Sequence, residues 1–161
     1  MSNISYEYDD ESLVEMCFCL QIFLVVSCQL FCTMEIFGFG WRMSFCSCYF
    51  FSSTAGPWEA GRNDCKNRDA DLVVIDSTEE QFIQGFKDYY WIGLTDRVNE
   101  GTWKWVDGSP VTLTFWDKGE PNNGMGSNGV NLGEEDCAEK PVKGKWNDLS
   151  CNTLRRWICE K

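Results

Sequence analysis

Apolar and polar positions change their spacing twice along this chain. Residues 16–34, MCFCLQIFLVVSCQLFCTM, carry no charge, a run long enough to cross the hydrocarbon layer of a bilayer. Past Arg42 the apolar runs shorten and acquire a period. Pro57 stands where a first helical turn tolerates it, and WEAGRNDCKNR behind it predicts a short helix with Trp58 and Cys65 facing inward. Residues 71–75, DLVVI, read as a buried strand. Ser77-Thr-Glu-Glu80 has the form of a capping box, in which the Ser77 hydroxyl and the Glu80 carboxylate satisfy each other's backbone donors. Phe82, Ile83 and Phe86 then supply the apolar stripe of a second helix. Strand-like pieces follow at 90–94 (YWIGL), at 102–106 (TWKWV, alternating) and at 156–159 (RWIC). Between them, 107–145 is rich in Gly, Asn, Pro and Asp, and a connection that long in a small domain is usually functional.

Composition narrows the classes. A chain of 161 residues fits one modest domain with a core plus a short appendage. A formal net charge of -11 opposes the phosphate backbone, so nucleic acid is not an expected partner. The absence of histidine removes the commonest general base and the imidazole ligands of zinc sites. A carboxylate pair for glycoside chemistry stays open, but nothing else points to an enzyme. The 10 cysteines lack paired zinc-type C-x-x-C spacing, so disulfides in an oxidising, extracellular setting are the better reading.

Three segments result: an acidic tail at 1–15, an apolar segment at 16–40 that is a membrane anchor or an uncleaved signal, and a domain at 41–161. The residues before the apolar run are acidic (Glu7, Asp9, Asp10, Glu11, Glu15) and the first basic residue is Arg42, so the basic region of a signal peptide is missing. The same acidic flank runs against the positive-inside rule. Orientation follows instead from the cysteine-rich part lying outside, either as a type II cell-surface protein or in secreted form.

A series of short blocks runs through the domain: Cys48-Tyr-Phe-Phe-Ser, Asn63-Asp-Cys65, Ala70-Asp-Leu-Val-Val-Ile, Trp91-Ile-Gly-Leu94, Gly101-Thr-Trp-Lys-Trp, Glu120-Pro-Asn122, Glu135-Asp-Cys137, Trp146-Asn-Asp148 and Trp157-Ile-Cys159. In this order and near this spacing they resemble the animal C-type lectin domain, over about 115 of the 161 residues. The resemblance implies an α+β fold of two helices and small antiparallel sheets, with a long calcium-binding loop region. It also implies two bridges, Cys65–Cys159 and Cys137–Cys151, which loop-closure entropy values at about 4 to 5 and about 3 kcal/mol.

The chemistry of the loop region has its own logic. Calcium prefers six to eight oxygen ligands from carboxylates and carbonyls, and Glu120, Asn122, Glu135, Asn147 and Asp148 supply that inventory. In the family the matching positions hold one Ca2+, with a cis bond before the proline that corresponds to Pro121. Sugar then binds through two adjacent hydroxyls that donate to the carboxylates and accept from the amides. The acid-then-amide order in Glu120-Pro-Asn122 implies vicinal equatorial 3- and 4-hydroxyls, the arrangement in mannose, N-acetylglucosamine and glucose, and the expected ligands are glycans bearing mannose, N-acetylglucosamine or fucose. Asp96, Glu100, Asn123 and Asp136 match the family's auxiliary calcium site. Trp91, Trp103, Trp105, Trp146 and Trp157 read as core rather than as sugar-stacking platforms.

Two features depart from the family pattern. The segment 124–132, GMGSNGVNL, lengthens the gap before Glu135 and could shift that residue, and it lacks the aromatic residue of galactose-type inserts. Cys48 has no long-form partner at the usual distance, and Cys46 is too close for an easy bridge, leaving Cys32 or Cys28. The expected function is calcium-dependent glycan recognition by a cell-surface or secreted receptor, with a homo-oligomer as one arrangement open to it. The rival is a calcium-independent protein-interaction module on the same fold.

Overall fold

The computed structural model describes residues 40–44, 47–81, 88–126, 129–141 and 144–161. The apolar run 16–34, the stripe Phe82, Ile83 and Phe86, and the cysteines Cys28, Cys32 and Cys46 lie outside the described residues. Among those described, no helix is long and apolar enough to cross a membrane.

Helix α1, Trp58–Lys66, begins directly after Pro57, whose φ is -58°; a proline there sacrifices no hydrogen bond, because the first N–H groups of a helix have no intrahelical partner. Trp58, Gly61 and Cys65 are its buried residues, one face at helical spacing. A Cβ at Gly61 would lie 3.0 Å from Cγ of Trp157, so glycine lets the helix settle on the strand that carries Trp157. The Trp58 indole donates to the Ile92 carbonyl at 2.9 Å, and Arg62 and Lys66 both pair with Asp71.

The strands are β1 (Trp41–Ser44), β2 (Ser47–Phe51), β3 (Asp71–Leu72), β4 (Tyr90–Thr95), β5 (Lys104–Trp105), β6 (Cys137–Lys140), β7 (Asn147–Leu149) and β8 (Arg156–Glu160). They form the order β1-β2-β8-β4-β6-β7, with β3 beside β8 and β5 beside β4. Every pair is antiparallel except β4 with β8, which run parallel through Tyr90↔Arg156 and Trp91↔Trp157. The expected strand at 71–75 pairs over two residues only. Beyond Leu72, Val73 donates to the Ile158 carbonyl and accepts from Gly93, so it stands between β8 and β4 instead of extending one ladder. The piece at 102–106 likewise contracts to Lys104 and Trp105, which keep the exposed-buried alternation. Strand β6 arises inside the stretch that the pattern reads as loop, and β7 just beyond it.

Helix α2 is described over Thr78–Gln81. Half of its capping box forms as expected, with Ser77 Oγ accepting from the Glu80 N–H at 3.2 Å. The other half is displaced by one residue, because the Glu80 carboxylate takes the N–H of Asp76 at 3.1 Å.

Both expected disulfides are present: Cys65–Cys159 ties α1 to β8, and Cys137–Cys151 ties β6 to the turn after β7. Cys48 is disulfide-bonded as well. The core holds Trp91 and Trp146 fully buried and Trp105 and Trp157 nearly so, while Trp103 is half-buried and packs edge-on against Trp116. Of the five tryptophans read as core, Trp91, Trp105, Trp146 and Trp157 are buried in it, and Trp103 packs against it half-buried.

Candidate metal centre and ligand site

Two chain segments and one strand converge at the end of β6. Trp146 anchors the strand side. Its ring packs edge-on against Trp105, Phe115 and Trp116, and its indole N–H donates at 2.8 Å to the Gln81 side chain, which in turn donates to the Gly144 carbonyl. With Trp146 held from both sides, the next residues Asn147 and Asp148 have fixed places on β7, opposite Glu139 and Ala138 of β6.

Asp148 is fully buried. Its Oδ2 accepts the backbone N–H of Asn122 at 2.8 Å and of Asn123 at 2.7 Å, which brings the Glu120–Asn123 loop onto the strand. The Glu120–Pro121 bond is cis, as expected, and the Asn122 amide donates a short hydrogen bond to the Glu120 carboxylate. Glu135 closes the ring, since its Oε2 accepts the Gly124 N–H at 3.0 Å while its own N–H donates to the Asn123 side chain at 2.8 Å. Glu120, Asn122, Glu135 and Asp148 therefore meet in one place, and Asn147 adjoins Asp148 on β7, where its amide turns to Glu139 and the Asp148 carbonyl.

The described ends of the insert at 124–132 pair with each other beside Glu135. A β-bridge joins Met125 to Asn131, and Leu132 N–H donates to the Gly124 carbonyl. The excursion thus closes on itself before Glu135 begins. Its neck is tight, because a Cβ on Gly124, where φ is +71°, would sit 2.0 Å from the Gly133 carbonyl oxygen; only glycine tolerates that backbone and that approach.

Asp96, Glu100 and Asp136 form a second acidic group, with one ligand oxygen from each lying within 4.8 Å of the others. Asn123 joins it by donating to Glu100 at 2.8 Å. The Asp96 N–H bonds the Asp136 carbonyl, and Asp96 Oδ2 accepts from Gly101. All four residues expected at the auxiliary site are therefore neighbours.

The electrostatics share one sign. Burial raises the Glu120 carboxyl above its ordinary value, and the neighbouring carboxylates of Asp148 and Glu135 raise it further. Glu135 is raised by burial and by the charges of Asp148 and Glu139. Asp96 is raised by burial and by Asp136 and Asp148, and Glu100 by desolvation and by Asp96, Asp136, Glu134 and Asp148. Asp148 contributes to all four, so the two groups share one field of uncompensated negative charge.

Hydrogen bonding points the same way. Among the described residues, the buried side-chain polar atoms without a partner are Oδ1 of Asp96, Asn122, Asp136 and Asp148. All are oxygens of the residues named above. A buried acceptor without a donor is costly, whereas an oxygen-ligated cation would satisfy each of them and offset the crowded charge. The donor set of carboxylates and amide carbonyls, without nitrogen or sulfur, suits calcium better than a transition metal.

The family model for the Lectin C-type domain matches residues 54–161. CD209 antigen-like protein A of Mus musculus is 50% identical over 122 residues, covering 71% of this chain and 48% of that protein. The carbohydrate-recognition domain of cow CD23, solved in the presence of a GlcNAc2Man3 oligosaccharide, superposes with a TM-score of 0.67 at 35% identity, covering 76% of this chain and 92% of that one. The mouse scavenger receptor C-type lectin carbohydrate-recognition domain superposes with a TM-score of 0.66 at 37% identity, covering 76% and 93%. The chain spans less than half the length of the curated relatives it matches.

Proposed function

The chain belongs to the C-type lectin domain family, and from that premise we propose that its carboxy-terminal domain is a calcium-dependent glycan-binding module. The family is one of carbohydrate-binding receptors, not enzymes. The observation that carries the proposal is the set of partnerless buried oxygens on Asp96, Asn122, Asp136 and Asp148, a demand that calcium meets.

In this reading Glu120, Asn122, Glu135, Asn147 and Asp148 hold the primary calcium, and Asp96, Glu100, Asn123 and Asp136 hold a second. When bound, the primary ion supplies open coordination positions for two neighbouring hydroxyls of a sugar. The chain's own residues then set the selectivity. The carboxylates of Glu120 and Glu135 accept from those hydroxyls, the Asn122 amide donates to them, Asn147 offers its Oδ1 to the ion, and no bond is broken. The order of acid and amide around Pro121 favours vicinal equatorial 3- and 4-hydroxyls, the arrangement in mannose and N-acetylglucosamine. Presentation outside the cell, secreted or anchored through residues 16–34, fits the disulfides of the domain. A calcium-independent protein-interaction module has no use for these partnerless acceptors.

Calorimetric titration with methyl mannoside tests the proposal. Binding is expected in calcium and is expected to vanish in excess chelator; equal affinity in both would overturn it.

A further inference from the structure

Glu139 is an acid where the strand pattern calls for an apolar residue. All of β6 is buried, and Glu139 is only 4% exposed. It lies opposite Asn147 in the β6–β7 ladder and opposite Trp91 in the β4–β6 ladder. A carboxylate in that position needs partners, and it has two. Arg155 Nε donates a short, charged hydrogen bond to its Oε2, and Asn147 Nδ2 lies 3.4 Å from its Oε1. Arg155 is itself fixed, with its backbone bridged to Gly56 in both directions and its guanidinium 5.3 Å from the Tyr89 ring centroid.

We propose that Glu139, clamped by Arg155, is a positioning residue that sets which end of the Asn147 amide faces the metal and the sugar. The proposal rests on the reading of Asn147 as a ligand. An asparagine amide has a donor end and an acceptor end of nearly equal shape, so packing alone does not choose between them. Chemistry chooses here, because both neighbours of Nδ2 are acceptors only: the Glu139 carboxylate, and the Asp148 carbonyl at 2.6 Å. With Nδ2 committed to them, Oδ1 is left as the end offered to a cation. Glutamine at 139 has nearly the same shape but can present either a donor or an acceptor, so it no longer dictates the choice. Arg155 both balances the buried charge and fixes the direction of the carboxylate.

The test compares wild type with Glu139→Gln, Glu139→Ala, Arg155→Met and Arg155→Lys. Calcium affinity is read by calorimetry, and the side-chain NH2 signals of Asn147 are read by nitrogen-15 NMR in calcium-stripped protein. Outer-shell changes typically cost 10- to 100-fold in metal affinity. Glu139→Gln is expected to weaken calcium at least about tenfold and to move the Asn147 signals toward those of a free amide. Arg155→Met should fall in the same direction, and Arg155→Lys should recover most of the loss. Wild-type affinity and unmoved Asn147 signals in Glu139→Gln would overturn the inference, even if Glu139→Ala fails to fold. If wild type itself takes up no calcium, the proposed function fails, and the Asn147 signals alone still decide the role of Glu139.

Discussion

Asp148 holds the backbone of Asn122 with one carboxylate oxygen, at 2.8 Å, while its other oxygen is buried without a donor. One side chain thus has two duties: shaping the loop and offering an acceptor. The neighbouring Asn147 makes no such contact with the loop, so the two residues are expected to separate in their effects. Asp148→Ala should abolish sugar binding and, in calcium-stripped protein, make the backbone amides of Asn122 and Asn123 exchange with deuterium at least about tenfold faster. Asn147→Ala should abolish sugar binding without that acceleration. Equal exchange in the two variants would remove the loop-shaping role of Asp148.

The raised carboxyls of Glu120, Glu135, Asp96 and Glu100 set a pH dependence. Each titrates higher in the folded domain than in the unfolded chain, so the folded state holds more protons. Its stability is therefore lost as pH rises through these raised values. Calcium-stripped protein is expected to melt at a higher temperature near pH 5 than near neutrality. Saturating calcium should reverse that order, because the ligands bind the ion only when deprotonated. Scanning calorimetry of both forms across this range checks the two signs.

The neck of the insert gives opposite expectations for two changes. Gly124→Ala puts a methyl group against the Gly133 carbonyl and disturbs the N–H that Glu135 accepts, and it should weaken calcium by about tenfold or more. Deleting 125–132 leaves both glycines in place and should change calcium affinity by less than about threefold, since the excursion closes on itself. Calcium titration of both proteins compares them directly.

Sugar preference should follow the order of groups around Pro121. The double change Glu120→Gln with Asn122→Asp keeps the charge and the oxygen count while exchanging donor and acceptor. Calcium should remain bound, mannose affinity should drop by about a hundredfold or more, and galactose should gain weakly. Competition between methyl mannoside and methyl galactoside measures the shift.

Much of the site is legible in the sequence, because its ligand residues are polar letters in short blocks and the structure brings each group together. The strands that carry them are harder to read. Cys137-Ala-Glu-Lys140 is buried at every position, so it has no alternation to detect, and its Glu and Lys look like surface residues. Asn147–Leu149 is three residues long and hides its acid rather than its leucine. At 71–75 the apolar run is real, but Val73 divides its hydrogen bonds between two neighbours, which periodicity cannot register. The capping-box pattern puts the Glu80 carboxylate on the Ser77 N–H, but a choice between adjacent N–H groups depends on the path of the entering chain, and the carboxylate takes that of Asp76.

The contact between Gly124 and Gly133 also makes this domain a socket. What leaves through that gap returns through it, so the length and sequence of the excursion are decoupled from the residues behind it. A peptide grafted between these two glycines would be displayed beside Glu135, and libraries varied there could evolve a new surface without rebuilding the residues behind the neck.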